Sequence, residues 1–210
     1  MPGKSRLSGA DRRRQIMDAA CGLFARQGFS GATTRQIAER AHITEALIFR
    51  HFSNKEDLYW AVLEDKCQRK KLRHLKLATA NGNGASPGEV FAAIAEDILR
   101  RNSEDTTLTR LLLFSALDNH RLAHRFFRTY ILDYYGILAG RIRSLVRSGS
   151  FRRVNPLLAA RGFLGMLIYH IWIQELFGGQ RYHKLDPQQV SKTLTEIWME
   201  GMRSRQGPRQ

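Results

Sequence analysis

The sequence predicts an all-α fold, and three observations support this prediction. Apolar residues recur at helical spacing, as Val190, Leu194, Ile197 and Trp198 do with their i, i+4, i+7, i+8 pattern. No segment alternates apolar and polar residues between hairpin turns, as a half-buried strand would. Of the 210 residues, 43% are hydrophobic, which is enough to build a sizeable core.

The first predicted helix covers residues 11–27. Ile16, Ala20, Leu23 and Phe24 place an apolar stripe along one side of it. Gly28 is suited to end the helix, and an apolar residue such as Phe29 is expected to pack back on it there.

Two short helices are predicted next, over residues 34–41 and 45–51. Thr33 is placed to cap the first, with Gln36 as its capping-box partner, and Thr44 is placed to cap the second. His42 lies where the chain must turn, in a left-handed conformation that histidine tolerates better than most residues. Two short helices joined by such a turn form a helix-turn-helix, whose second helix enters the major groove of DNA.

The remaining helices follow from capping residues and spacing. A proline after a capping residue marks helix starts at about residues 87, 156 and 187, because proline suits the first helical position. Apolar spacing and capping patterns predict further helices over residues 55–80, 105–119 and 121–149.

The charge of the chain favours a polyanionic partner, either nucleic acid or an anionic membrane surface. Lys and Arg number 34 against 19 acidic residues, for a formal net charge of +15. Residues 1–55 hold 10 basic and 4 acidic residues, so the positive charge is densest around the predicted helix-turn-helix. We therefore predict a DNA-binding domain over residues 1–55.

Several classes of protein are disfavoured by the sequence. Cys21 and Cys67 have neither the number nor the spacing of a disulfide framework or a zinc finger, and they suit a reducing cytosol. Residues 1–14 lack the apolar region of a signal peptide. The most apolar stretch, residues 163–173, is shorter than the roughly 20 residues that a membrane span needs. We expect a soluble cytoplasmic protein without a membrane partner.

Residues 10–63 carry an ordered signature: Ala20-x-x-Leu23-Phe24-x-x-x-Gly28-Phe29, Thr33-Thr34-x-x-x-Ile37-Ala38, Ile43-Thr44 and Phe52-x-Asn54-Lys55-Glu56-x-Leu58. With this signature the segment resembles the TetR (tetracycline-repressor-like) family of transcriptional regulators. The resemblance implies a homodimer that binds a palindromic operator in double-stranded DNA. It also implies that residues 56–210 form a helical domain that dimerises and binds a small-molecule effector.

The resemblance assigns candidate DNA contacts around the helix-turn-helix. Candidate base readers are Arg35, Glu45, Ala46 and Arg50, and candidate phosphate contacts are Thr33, Thr34, Thr44, His51 and Lys55. The alternative interpretation is that some of these residues only cap helices or face solvent. Phe49 replaces the usual tyrosine of the family, so it can offer only apolar contact, for instance to a thymine methyl group. His42 replaces the usual turn glycine.

The segment 156–178 is apolar on nearly every side, which predicts burial all round. In the family the last two long helices pair across a two-fold axis, and this sequence looks similar. The predicted dimer interface comprises Gly162, Gly165, Trp172, Leu194, Trp198 and Met202. The alternative is that these residues only close the core of the monomer.

Aromatic side chains with a few polar groups predict a cavity for an effector in the second domain. The candidates are Phe114, Tyr130, Tyr134, Met166, Tyr169 and His170. No catalytic constellation is evident, so we predict that the protein is not an enzyme and needs no cofactor. His120 and His124 have metal-ligand spacing but no third ligand, so we predict no metal site. The main alternative function is an architectural protein that binds DNA without sequence preference or effector.

Overall fold

The computed structural model describes residues 7–79, 85–118 and 120–204, with only the backbone given for residues 68–79 and 120. These residues form helices and, between them, no strand; Phe151 and Arg203 make an isolated bridge. The α-helices are α1 Gly9–Gly31, α2 Thr34–Arg40, α3 Glu45–His51, α4 Lys55–Thr79, α5 Pro87–Glu104, α6 Thr107–Asp118, α7 His120–Phe126, α8 Leu132–Arg147, α9 Pro156–Ile171 and α10 Pro187–Met202. The all-α prediction is confirmed.

Three short helical turns supplement these ten helices. π-Helical turns cover Phe127–Ile131, before α8, and Trp172–Leu176, after α9. A 3₁₀ turn covers Gly179–Arg181. The single helix predicted over residues 121–149 is therefore divided by a π-helical turn into α7 and α8.

The chain divides into two compact units. Of the described residues, those up to 69 and those between 107 and 126 form the N-terminal unit, and those between 70 and 106 and from 127 onward form the C-terminal unit. Helices α6 and α7 therefore belong with α1, α2 and α3, although the predicted boundary at residue 55 left them in the second domain. Helix α4 contributes to both units.

Aromatic packing joins three helices of the N-terminal unit. The ring of Tyr59 lies edge-on to those of Phe24 and Phe29, with centroid distances of 4.8 Å and 5.4 Å. Its buried hydroxyl donates a hydrogen bond of 2.7 Å to the carbonyl oxygen of Leu111. One side chain of α4 thus satisfies its polar group on α6 and buries its ring against α1.

Gly28 interrupts α1 where the sequence predicts its end. Its φ of 74° and ψ of −178° belong to a region that is essentially restricted to glycine. A β-carbon at this position would also lie 3.1 Å from Cδ1 of Phe114 on α6. Beside it, Arg110 Nε donates a hydrogen bond of 2.7 Å to the carbonyl oxygen of Ala25. Glycine is therefore needed for both backbone conformation and helix packing.

The core of the C-terminal unit is built around Trp198. Its ring centroid lies 4.6 Å from that of Phe91 and 5.1 Å from that of Phe163, which joins α10 to α5 and α9. Its indole nitrogen donates a hydrogen bond of 3.2 Å to the carbonyl oxygen of Ala159. Buried large aromatic side chains of this kind contribute most of the stability of a small core.

This packing bears on two residues of the predicted dimer interface. Trp198 and Met202 are only 8% and 4% exposed in the single chain, which favours the alternative that they close its own core. Leu194 is half-buried against the same core, and Trp172 is half-buried in the π-helical turn. The all-round apolar pattern of residues 156–178 did not distinguish the two sides of the helix.

Helix α9 leaves an apolar face exposed in the single chain. Leu158 and Tyr169 are 62% and 65% exposed, and ideal β-carbons at Gly162 and Gly165 would meet nothing within 4 Å. By length and composition the segment Pro156–Leu176 could also cross a membrane, and 28% of its most apolar part is buried. Core helices of soluble proteins share this length and composition.

Replacing Gly28 with alanine is expected to lower the free energy of unfolding by about 2 kcal/mol or more, because strain at positive φ adds to overpacking against Phe114. The matched control is Gly22→Ala in the same helix, where the new β-carbon has 3.5 Å to the Arg40 side chain. That change is expected to stabilise the protein by about 0.5–1 kcal/mol. Urea unfolding of both variants measures the difference, and equal stabilities would contradict this account of Gly28.

Candidate nucleic-acid interface

The two short helices begin at the predicted capping residues. The Thr33 hydroxyl accepts a hydrogen bond of 3.2 Å from the Gln36 amide, and the Gln36 side chain accepts one of 2.9 Å from the Thr33 amide. The Thr44 hydroxyl accepts a hydrogen bond of 3.3 Å from the Leu47 amide. These caps satisfy amide groups that the helices leave without partners, and they fix where α2 and α3 start.

The turn between α2 and α3 contains a left-handed histidine, as predicted. His42 has a φ of 53°, and the next amide, that of Ile43, donates a hydrogen bond of 3.0 Å to the carbonyl oxygen of Ala38. From α1, the Gln15 side chain donates a hydrogen bond of 2.8 Å to the carbonyl oxygen of Ala41. The first helix therefore holds the turn directly, through a contact that the sequence analysis missed.

Helix α3 has one buried and one exposed side. Ile48 is fully buried and Phe52, just after the helix, is 4% exposed. Phe49 is 48% exposed, and Ala46 and Arg50 are exposed with it. The helix thus presents an apolar ring, a small residue and a cation to the solvent, while its opposite side is fixed in the core.

The two arginines predicted as base readers are available to a partner. Arg35 pairs with Glu39 at 3.1 Å, but both side chains are mostly exposed, and such surface pairs contribute little. Arg50 is exposed, and among the described residues it makes no ion pair. Arginine in such a position suits guanine or phosphate, since its donors form a planar fork.

Lys55 lies at a junction between α1, α4 and α6. Its ammonium group is 4.5 Å from the centroid of the Phe29 ring. Burial lowers the pKa of Lys55, and the negative charge of Asp118 opposes this shift. The Ser30 side chain and the Ser30 amide, the latter at 2.7 Å, both donate hydrogen bonds to the Asp118 carboxylate, and these bonds lower the pKa of Asp118. The sequence pattern assigned Lys55 only to DNA, because it could not bring the distant Asp118 to this place.

Two of the predicted DNA contacts bind each other. The Thr34 hydroxyl donates a hydrogen bond of 2.7 Å to the Glu45 carboxylate, which links the first residues of α2 and α3. Thr33 and Thr44 are exposed beside them, and His51 is half-buried at the end of α3. All ten predicted DNA-contact residues lie in the N-terminal unit.

The N-terminal part of α1 adds basic side chains that the motif analysis passed over. The Arg13 guanidinium is 4.7 Å from the centroid of the Phe52 ring, which places a cation beside the end of α3. Arg14 pairs with Asp65 at 2.7 Å, which ties α1 to α4. The run of three arginines at 12–14 was the available signal.

The predicted effector residues are divided between the two units. Phe114 packs over Gly28 in the N-terminal unit, whereas the other five belong to the C-terminal unit. Of those, Tyr134 and Met166 pack against the core, Tyr130 is half-buried and Tyr169 is largely exposed. His170 is half-buried, and burial lowers its pKa.

Two surface concavities lie elsewhere. One of about 560 Å³ lies between α1 and α4 and includes Arg14 and Asp65 in its lining. The other, of about 420 Å³, lies between the start of α5 and α10 and includes Thr195 and Met199. Neither is lined by a predicted effector residue.

The described residues contain no group of three or more histidine, cysteine, aspartate or glutamate side chains that could hold a metal ion. The His120 side chain, one of the two considered for such a site, lies outside the described side chains.

These features define the N-terminal unit as a helix-turn-helix domain of the DNA-binding type. The sequence profile of bacterial regulatory proteins of the tetR family matches residues 16–62. The profile of the AefR-like transcriptional repressor C-terminal domain matches residues 89–197. The chain belongs to the TetR family of transcriptional regulators.

One curated relative is YvkB of Bacillus subtilis, an uncharacterized HTH-type transcriptional regulator. It is 46% identical over 50 residues, which are 24% of this chain and 26% of YvkB. The alignments span 26% to 56% of the length of YvkB and two further curated regulators. The relatives are transcriptional regulators by name, and the matched profiles describe no enzyme.

Solved structures share the fold along most of the chain. AibR in complex with isovaleryl coenzyme A and operator DNA is 22% identical, with a TM-score of 0.72, and the match covers 89% of this chain and 97% of AibR. FadR from Bacillus subtilis in complex with stearoyl-CoA is 20% identical, with a TM-score of 0.71, and the match covers 90% of this chain and 98% of FadR. At these identities the comparison establishes the fold alone.

Arg50→Ala and Lys55→Ala are expected to affect DNA binding differently. If Lys55 contacts a phosphate, its loss weakens binding to all sequences and lowers the salt slope by about one unit. If Arg50 reads a base, its loss is expected to weaken the free energy of binding to the specific site by about 1–3 kcal/mol and to relax the preference at one base pair. Titrations at several salt concentrations measure both. If Lys55→Ala leaves the salt slope unchanged, Lys55 serves only the junction with Phe29 and Asp118. If Arg50→Ala lowers the affinity for all DNA sequences equally, Arg50 is a phosphate contact.

Proposed function

We propose that this protein is a ligand-responsive repressor that binds a palindromic operator as a homodimer and is released by a small-molecule effector. The observation that carries the DNA-binding part is the exposed side of α3. Phe49 and Arg50 face outward from a helix whose other side, with Ile48, is fixed in the core. A short helix held in this way can enter a major groove with its side chains already oriented.

A second copy of the chain is the proposed cover for the exposed face of α9. Leu158, Gly162, Gly165 and Tyr169 are exposed at positions i, i+4, i+7 and i+11, so they follow one side of that helix. The glycines allow a second helix to approach closely, and the large apolar side chains beside them provide the surface that it would bury. On α10, Ile197 is 59% exposed and extends the same kind of surface. The interface proposed here uses these side chains instead of Trp198 and Met202.

The dimer would explain how a seven-residue helix reaches useful affinity. Two linked N-terminal units, called heads from here on, make the second DNA contact intramolecular, which can multiply affinity by about 10²–10⁴. The two recognition helices would then lie roughly 34–36 Å apart and fit successive major grooves. An effector that binds a different dimer geometry more tightly would shift the population away from this spacing, with α4 as the connecting element.

Acyl-CoA thioesters are the first effector class to test. AibR and FadR, which share the fold, were solved with isovaleryl coenzyme A and stearoyl-CoA. Such a ligand combines an anionic nucleotide with an apolar chain. The net charge of +15 suits the nucleotide, and the aromatic-rich C-terminal unit suits the apolar chain. Release of bound operator by acyl-CoAs of increasing chain length would identify the ligand class.

The regulator and the architectural alternative differ in sequence preference. Selection of binding sites from random duplex DNA, followed by titration, is expected to yield a palindromic site. That site should bind about 10³-fold or more tightly than random DNA at physiological salt. An architectural protein would bind both kinds of DNA equally, and that result would overturn the regulator proposal.

Ile197→Glu is expected to convert dimers to monomers, because the second copy would have to bury an unpaired charge. Operator affinity should fall by about 10²-fold or more while the head remains folded. The matched control is Leu117→Glu on α6, where an 87% exposed leucine lies outside the proposed interface. Sedimentation and operator titration on the same samples measure both effects. A dimeric Ile197→Glu variant, or a monomer with undiminished operator affinity, would contradict the proposed interface.

A further inference from the structure

The hydrogen bond between Thr34 and Glu45 connects the beginnings of the two helix-turn-helix helices. Thr34 is the first residue of α2 and Glu45 is the first residue of α3, 11 positions later. Their oxygen atoms lie 2.7 Å apart, and both side chains are half-buried. A hydroxyl donating to a carboxylate at this distance is a charge-assisted bond, which is stronger than a bond between neutral groups.

The direction of this bond restricts what Thr34 can do. A threonine hydroxyl has one proton to donate, and a carboxylate oxygen can only accept. The proton of Thr34 is therefore committed to Glu45. A phosphate oxygen also needs a donor, so Thr34 cannot serve it while the bond to Glu45 persists. This argues against the phosphate contact that the sequence suggested for Thr34.

The same bond fixes the carboxylate of Glu45. A free glutamate at the start of an exposed helix samples several side-chain rotamers, and binding through it would require that freedom to be lost. With Oε2 held by Thr34, Oε1 accepts no hydrogen bond from the described residues. Oε1 of Glu45 is thus an acceptor held in place at the N-terminal end of α3, and the N-terminal residues of a recognition helix are the ones that contact base edges.

An acceptor in this position discriminates among bases. In the major groove cytosine and adenine present amino donors, whereas guanine presents only the acceptors O6 and N7. A carboxylate accepts from the cytosine amino group and is repelled by guanine acceptors and by phosphates. Glu45 would therefore add selectivity more than affinity to a head that is otherwise basic.

We propose that Thr34 is a positioning residue that directs Glu45 to select cytosine at one position of each half-site. This inference rests on the proposed function, since it requires that α3 reads a specific operator. It gives Glu45, an acidic residue in a basic domain, a defined role, and it gives Thr34 an indirect one.

Binding-site selection with the full chain tests the proposal, using the wild type, Thr34→Val, Thr34→Ser and Glu45→Gln. Valine has the shape of threonine without its hydroxyl, whereas serine keeps the hydroxyl. We expect Thr34→Val to reduce the preference for cytosine at one position by about tenfold, and Thr34→Ser to retain it. Glu45→Gln should shift the preference at that same position toward adenine, which glutamine binds with two hydrogen bonds.

The outcomes separate the two proposals. A wild-type protein that selects no site would overturn the proposed function. A wild type that selects a site, with Thr34→Val selecting the same site at uniformly lower affinity, would overturn only the positioning role and restore Thr34 as a phosphate contact. An unchanged site for Glu45→Gln would overturn it as well, and this variant leaves Thr34 intact. Thermal unfolding of each variant confirms that the head is folded.

Discussion

A helix of seven residues does not persist by itself in water, and this constraint governs the N-terminal unit. Isolated helices shorter than about 12–15 residues are marginal, so α3 must take its shape from its neighbours. Thr44 caps its first turn, Ile48 is buried on its inner side, and the Gln15 side chain of α1 donates a hydrogen bond to the turn that precedes it. The exposed side of α3 is consequently a surface whose side chains are oriented before any DNA arrives, which reduces the entropy lost on binding.

The same constraint explains why α6 belongs to the N-terminal unit. Tyr59 joins α1, α4 and α6 through ring contacts and a buried hydrogen bond, and Gly28 lets Phe114 approach the end of α1. Asp118, the last residue of α6, binds the Ser30 amide and lies near Lys55, the first residue of α4. A displacement of α6 would therefore act on the end of α1 and the start of α4 together, and these two helices support the helix-turn-helix.

Local signals predicted the fold well because the helix starts are determined locally. The residues Thr33, Thr44, Ser86, Asn155 and Asp186 each accept a hydrogen bond from the first turn of their helix, which is why the predicted and observed starts agree so closely. The candidate site was predicted less completely, because its side-chain partners come from distant parts of the chain. No spacing rule brings Asp118 to Lys55 or turns Thr34 toward Glu45. Trp198 was ambiguous for a similar reason: it is buried in the single chain, but an apolar stripe in the sequence does not show whether its own chain or a second copy covers it.

Footprinting on a selected operator is the measurement that tests this account most directly. If two heads joined through α9 and α10 each insert one α3, protection should appear in two major-groove segments on one face of the DNA. Their centres should be about 10–10.5 base pairs apart, or a multiple of that spacing. Protection of a single segment, or continuous protection that ignores sequence, would contradict the dimeric and sequence-reading protein described above.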